Sequence, residues 1–170
     1  MRHLCNLLLL MLPAYVANMT PPFVRFWPGW NRPVHERWLG SHKTVIGFLA
    51  GILTAIATAY LQAQLQARTG GASTILNYGD TWLALGAALG LAAMVGDSLK
   101  SFFKRRIGFA PGASWIPFDL LDFVAAALIA LAFWVELTLI DVVLILVLTF
   151  IGDVIVNQVA FRLHIRETAW

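Results

Sequence analysis

Three aspartates are the residues of this chain best placed to do chemistry. Asp97 ends an apolar run in "VGDSLK", and Ser101 follows one helical turn later on the same face. Asp119 and Asp122, in "PFDLLDF", stand three apart, so a helix carries both carboxylates on one side. Lys104, Arg105 and Arg106 lie between the two acidic groups, and Lys43 with Thr44 opens an earlier apolar run. Ionisable groups inside apolar spans are costly and mark functional positions. Carboxylates gathered at one depth supply the hard oxygen ligands that Mg²⁺ prefers. Lysines and arginines around them suit the charge of a polyphosphate. The combination points to phosphoryl or nucleotidyl transfer. Each part also has a plainer reading. The cationic run can anchor a helix on the positive side of a membrane, and Asp119 and Asp122 suit the first turn of any helix. Asp97 has no such alternative unless it owns a buried partner.

The elements that must position these residues are membrane helices. The chain has 170 residues, of which 59% are hydrophobic and 12% charged, with a formal net charge of +3. A soluble domain carries about twice that charged fraction, and apolar runs of about 18 residues or more span bilayers. The reading is an all-α, polytopic membrane protein with a single domain over residues 1–170. Five spans are expected, at about residues 4–20, 43–64, 81–99, 119–136 and 140–161. The first is read as a retained helix, because Tyr15 and Val16 make a poor signal-peptide cleavage site. Between the first two spans, Pro21, Pro22, Pro28 and Pro33 forbid a continuous helix. Trp27, Trp30 and Trp38 suit an interfacial belt along the membrane surface. Residues 100–118 are expected to be a basic loop broken by Pro111, Gly112 and Pro117. The long apolar stretch from Asp119 would be about 60 Å as one helix, twice the hydrocarbon thickness. Glu136 and Asp141 are therefore taken to mark a tight turn. Gly47 and Gly51 are spaced for close helix packing.

Lysine and arginine asymmetry sets the orientation. Arg25, Arg32, Arg37 and Lys43 fall in or beside the first loop, Lys100, Lys104, Arg105 and Arg106 in the third, and Arg162 and Arg166 in the tail. That places the N-terminus outside, the C-terminus in the cytoplasm and the acids at the cytoplasmic lip. Other chemistries find no support. "GSHKT" lacks the first glycine and the strand context of a phosphate-binding loop. The four histidines show no metal-ligand spacing, and no serine–histidine–acid or cysteine–histidine set suggests covalent catalysis. Asp153 and Asn157 share a face of the last span but are left outside the core site. Cys5 is the only cysteine, so no intrachain disulfide forms.

The stretch "GDSLKSFFKRRIGFAPGASWIPFDLLDF", residues 96–123, strongly resembles the core of archaeal CDP-archaeol synthases. "PAYVANMTPP", "LGSHKTVIGFLAG" and "NQVAFRLHIRETAW" resemble further landmarks of that family in the same order, covering nearly the whole chain. The core is also similar to the CDP-diacylglycerol synthase signature, with Ser101, Lys104, Arg105, Asp119 and Asp122 at its positions. The His-Gly-Gly segment of the diacylglycerol enzymes is missing and the chain is shorter, which favours the archaeal branch. The resemblance implies a cytidylyltransferase of the cell membrane, with its active site facing the cytoplasm. It would transfer CMP from CTP to an isoprenoid-ether glycerol phosphate, with Mg²⁺ as cofactor and pyrophosphate as by-product. It implies Asp97, Asp119 and Asp122 as catalytic metal ligands. Lys43, Lys104, Arg105 and Arg106 would contact phosphates, with Ser101 and Thr44 donating hydrogen bonds there. CTP, the lipid phosphate and membrane lipids are the expected partners; nucleic acid is not. Two competing readings remain. A CDP-alcohol phosphotransferase would need an Asp-Gly-x-x-Ala-Arg pattern, and no aspartate here precedes glycine. A cation channel would need polar residues through the helix centres, where few occur.

Overall fold

The computed structural model describes residues 2–24, 31–70, 75–109, 115 and 118–162. Five principal helices pack in alternating directions: α1 (Arg2–Met19), α4 (Val45–Thr69), α5 (Trp82–Arg106), α6 (Phe118–Leu131) and α7 (Leu139–Arg162). Two short helices, α2 (Pro21–Val24) and α3 (Glu36–Leu39), lie between α1 and α4, where the prolines had excluded anything longer. No β-strand occurs among the described residues; Pro33 and Thr44 form one isolated bridge. The all-α membrane fold expected from composition is present. Trp27, Trp30, Pro28, Arg25, Pro111, Gly112, Pro117, Arg166 and the tail landmark from 163 onward lie outside the described residues.

Helix packing follows from small residues. Gly47, Gly51, Ala55 and Ala59 recur every fourth position and form the buried face of α4, so the close-packing reading of the glycine pair holds. Opposite them on α5, a Cβ on Gly90 would lie 2.9 Å from Ile52 Cα and 2.8 Å from Ala55 Cβ. The two backbones touch there, which only small residues permit. Leu7, Leu10, Met11, Ala14 and Ala17 form the buried stripe of α1, at the spacing of one helical face. The outer faces carry exposed Leu49, Leu53, Leu61 and Leu65 on α4 and Val143, Val147, Ile151 and Ile155 on α7. Such apolar stripes are stable against lipid and not against water.

Three boundaries differ from the sequence expectation. The second helix runs on to Thr69, where Gly70 adopts the left-handed conformation (φ 69°) and caps it through its N–H to Gln66 O. The third continues through Arg106, so residues 100–106 are helix and not loop. Lys104, Arg105 and Arg106 therefore project from α5 itself, and as cations in a last turn they complement the helix dipole. The fourth helix ends at Leu131, five residues before the predicted 136. The turn lies at 132–138 and Asp141 belongs to α7. Its cause is a capping box. Asp141 N–H donates to Thr138 Oγ1 at 3.2 Å, and the Thr138 amide donates back to Asp141 Oδ2 at 3.0 Å. Among the described residues, four helical segments are long and apolar enough to cross a membrane, and the apolar part of α6, Leu121–Leu131, is shorter.

Candidate active site

The end of α5 and the start of α6 build the site. Asp97, Lys100, Ser101 and Lys104 are spaced i, i+3, i+4 and i+7, so one face of α5 presents all four. Asp119 and Asp122 face them from the first turns of α6. The approach depends on Gly96. A Cβ there would stand 2.7 Å from the Asp122 carbonyl oxygen and 3.1 Å from Phe123 Cα. Any larger residue would push the acidic end of α6 away from α5. Lys43 enters from a third direction, one residue before Thr44, whose hydroxyl caps α4 by accepting from Gly47 N–H at 3.2 Å.

The three carboxylates converge on a single cation, Lys100. Its Nζ lies 3.1 Å from Asp97 Oδ1, 2.8 Å from Asp122 Oδ2 and 3.6 Å from Asp119 Oδ1. Two flanking lysines complete the cluster. Lys43 pairs with Asp97, and Lys104 Nζ meets both oxygens of Asp119 at 3.0 Å. The Trp115 amide donates to Asp119 Oδ2 at 2.5 Å. Asp122 is the most enclosed of the three acids, and its Oδ2 has no aligned hydrogen-bond donor among the described residues despite the nearby ammonium. Asp153 of α7 lies close enough for the charges of Asp122 and Lys100 to act on it. Buried charges survive when paired, and here acids and lysines from three helix ends balance one another.

The structure thus brings together Asp97, Asp119, Asp122, Lys43 and Lys104, as the sequence predicts. The other four predicted residues stand beside this group. Ser101 Oγ donates to the Asp97 carbonyl at 2.9 Å, so its proton is engaged within its own helix. Thr44 Oγ1 accepts from Gly47, leaving its own O–H to donate elsewhere. Arg105 donates to Phe109 O at 2.6 Å, while its buried Nε has no hydrogen-bond partner among the described residues. Arg106 is exposed, with its guanidinium 5.3 Å from the centre of the Phe102 ring. Both arginines line a cavity of about 250 Å³ together with Arg37, Trp38 and Phe102. Lys100 is the residue that the sequence reading missed. Assigned to a loop, it counted only toward charge asymmetry; extending the helical register from Asp97 places it on the acidic face.

The residues fit a divalent cation by one structural test: oxygens of three carboxylates from two helices already surround one positive charge. Among the described residues, no three acidic, histidine or cysteine side chains stand as a ready-made metal cage; the ammonium of Lys100 lies where the three carboxylates converge.

The family profile for CarS-like CDP-archaeol synthases matches residues 1–170. The chain belongs to the CDP-archaeol synthase family. It is 33% identical over 168 residues to the CDP-archaeol synthase of Sulfolobus acidocaldarius, with 96% of each chain covered. The CDP-archaeol synthase of Methanospirillum hungatei is 32% identical, covering 94% of this chain and all of that one. A solved intramembrane enzyme for archaeal membrane lipid biosynthesis superposes with a TM-score of 0.72 at 28% identity, covering 88% of this chain and 91% of that chain. As a member of the family, the protein is a membrane cytidylyltransferase that forms CDP-archaeol, using CTP and an isoprenoid lipid phosphate. The competing phosphotransferase and channel readings end here.

Proposed function

We propose that CMP transfer takes place where α5 meets α6, that it depends on Mg²⁺ held by Asp97, Asp119 and Asp122, and that this end faces the cytoplasm. The observation that carries the reading is the convergence of three carboxylates on one cation position, at 2.8 to 3.6 Å from a single ammonium. Oxygen-only ligands suit Mg²⁺. When bound, the metal supplies Lewis-acid polarisation of phosphoryl oxygens. Orientation follows from charge: Lys43, Lys100, Lys104, Arg105 and Arg106 all sit at this end, while the opposite end carries Arg2 and Arg68.

The chain's own groups then do the following. An oxygen of the lipid phosphate forms a bond to the α-phosphorus of CTP, and the bond from that phosphorus to the bridging oxygen of pyrophosphate breaks. The nucleophile comes from the substrate, which agrees with the lack of any nucleophile–base pair in the sequence. Lys104 and Lys43, already beside the acids, offset charge on the triphosphate as pyrophosphate departs. Arg105, Arg106 and Arg37 surround the adjoining cavity, a suitable place for the β- and γ-phosphates, and the unpartnered Nε of Arg105 gains a phosphate acceptor there. Thr44 contributes its hydroxyl proton. The isoprenoid chains lie outside, along the apolar stripes of the helices.

Pyrophosphate release by purified protein in detergent tests this reading. With an isoprenoid-ether glycerol phosphate, CTP and Mg²⁺, release is expected; chelation of the metal should abolish it and ATP should not replace CTP. Full turnover in excess chelator would overturn the metal dependence. Cysteine-free protein carrying single cysteines at Arg37 or Glu136 reports orientation: only the first should be shielded from an impermeant thiol reagent in intact cells.

A further inference from the structure

Lys100 sits where a metal ligated by all three acids would have to sit. This ammonium and a divalent cation cannot share the position. A magnesium–oxygen bond is about 2.0–2.1 Å, and the oxygens it needs already surround Nζ at 2.8 and 3.1 Å. Two positive charges in that space would also repel strongly at low dielectric. The other two lysines do not compete in the same way. Lys43 pairs with Asp97 and Lys104 pairs with Asp119, each from the flank of the cluster. Lys100 touches all three acids and supplies Asp122 with its one cationic contact among the described residues.

The geometry points to Lys100 as a resident counter-cation: it holds the three carboxylates together in the metal-free enzyme and withdraws when a divalent cation enters. The inference rests on the proposed metal role of the acids and adds a residue and a step to it. Two physical facts support it. Three carboxylates from two helices repel one another at close range, so the facing acids of α5 and α6 need a positive charge between them before any metal arrives. A lysine meets that need with a removable charge, since its ammonium rides on a flexible four-carbon stem and moves without unwinding the helix. The arrangement keeps the site assembled and makes binding of the metal a competition. Lys100 is accordingly a positioning residue, acting through the acids it gathers.

The test is Mn²⁺ binding, read by electron paramagnetic resonance on the full-length protein in detergent without nucleotide, beside thermal stability with and without Mg²⁺. Lys100→Met should bind Mn²⁺ at least about tenfold more tightly than wild type, because the competitor is gone. It should also melt lower than wild type without metal and gain more from added Mg²⁺. Lys100→Arg should behave like wild type in both readouts. Lys104→Met removes the same charge from the flank and should tighten Mn²⁺ binding less than Lys100→Met does. Unchanged or weaker Mn²⁺ binding by Lys100→Met, or an equal effect of Lys104→Met, would overturn the inference. An unmodified enzyme gives a second readout should Lys100→Met not fold. Labelling of Lys100 by an amine-selective reagent, measured by peptide mass spectrometry, should rise when Mg²⁺ is added; a constant or falling yield counts against displacement. The underlying reading fails separately. If Asp97→Asn and Asp122→Asn leave the Mn²⁺ affinity of wild type intact, the acids are not the ligands. If no variant and no wild-type protein binds Mn²⁺, both ideas are lost.

Discussion

The two ends of the helix bundle solve the same problem differently. Both must satisfy polar groups at the edge of an apolar core. At the far end the solutions are almost all neutral. The Gln66 side chain clamps the connection to α5, donating to Leu76 O at 2.9 Å and accepting from Tyr78 N–H at 2.8 Å. Tyr78 is 2% exposed, and burial pushes its hydroxyl up to about 12, so it stays protonated. Gln62 donates to Leu9 O, and an ionisable contact, His3 with Asp141 at 2.6 Å, ties α1 to the capping box of α7. At the site end the partners are full charges, drawn from α5, α6 and Lys43 just before α4. A neutral hydrogen bond to a neighbouring backbone group holds a fold and has nothing to exchange. A lysine paired with a carboxylate can trade that partner for a metal or a phosphate. The difference separates polar groups that hold the fold from charged pairs that the proposed metal and phosphate roles require to be exchangeable.

Substitutions at the two ends should therefore separate activity from stability. The largest effect is expected for Asp122→Asn. Loss of the most enclosed acid should lower pyrophosphate release by at least about a hundredfold, whereas Asp141→Asn at the far end should leave kcat within about twofold. Similar losses in both variants, assayed in folded protein, would erase the contrast. Next comes Lys104→Ala, which should raise KM for CTP by about tenfold with a smaller change in kcat. A reduced kcat at constant KM would instead make Lys104 a group that acts in the transition state. Gly96→Ala tests placement without altering a charge. Overpacking against the Asp122 backbone should cost about 1–3 kcal/mol and reduce activity, read by thermal melting and turnover. Gly152→Ala, where an added Cβ meets nothing within 4 Å, should do neither. The smallest effect belongs to Thr138→Ala. Losing that cap should cost about 0.5–2 kcal/mol, seen as a lower melting temperature at unchanged kcat.

Much of this arrangement was legible in the chain. Long apolar runs announce membrane helices because no other segment of that composition satisfies its backbone in lipid. The i, i+3 spacing of Asp119 and Asp122 announces a shared carboxylate face, and Lys43–Thr44 before an apolar run announces a helix start with a charge at its lip. The turn at 132–138 was legible too, in Thr138-Leu-Ile-Asp141, whose threonine and aspartate suit a capping box. The extent of α5 was harder. Lys100, Lys104, Arg105 and Arg106 look like a loop by hydropathy, yet they are good helix formers and continue the register of Asp97.

Sequence alone determined which residues share a face of each helix, since that depends only on the helical repeat. It also determined the family, through motifs that span the chain. Tertiary structure decided which faces meet. It set Asp122 against Gly96, put Lys43 on Asp97 rather than on a free surface, brought Asp153 close to Asp122 and Lys100 and drove Lys100 between three carboxylates. Those are contacts between helices, governed by how closely small residues let backbones approach, and spacing along one chain does not carry that distance.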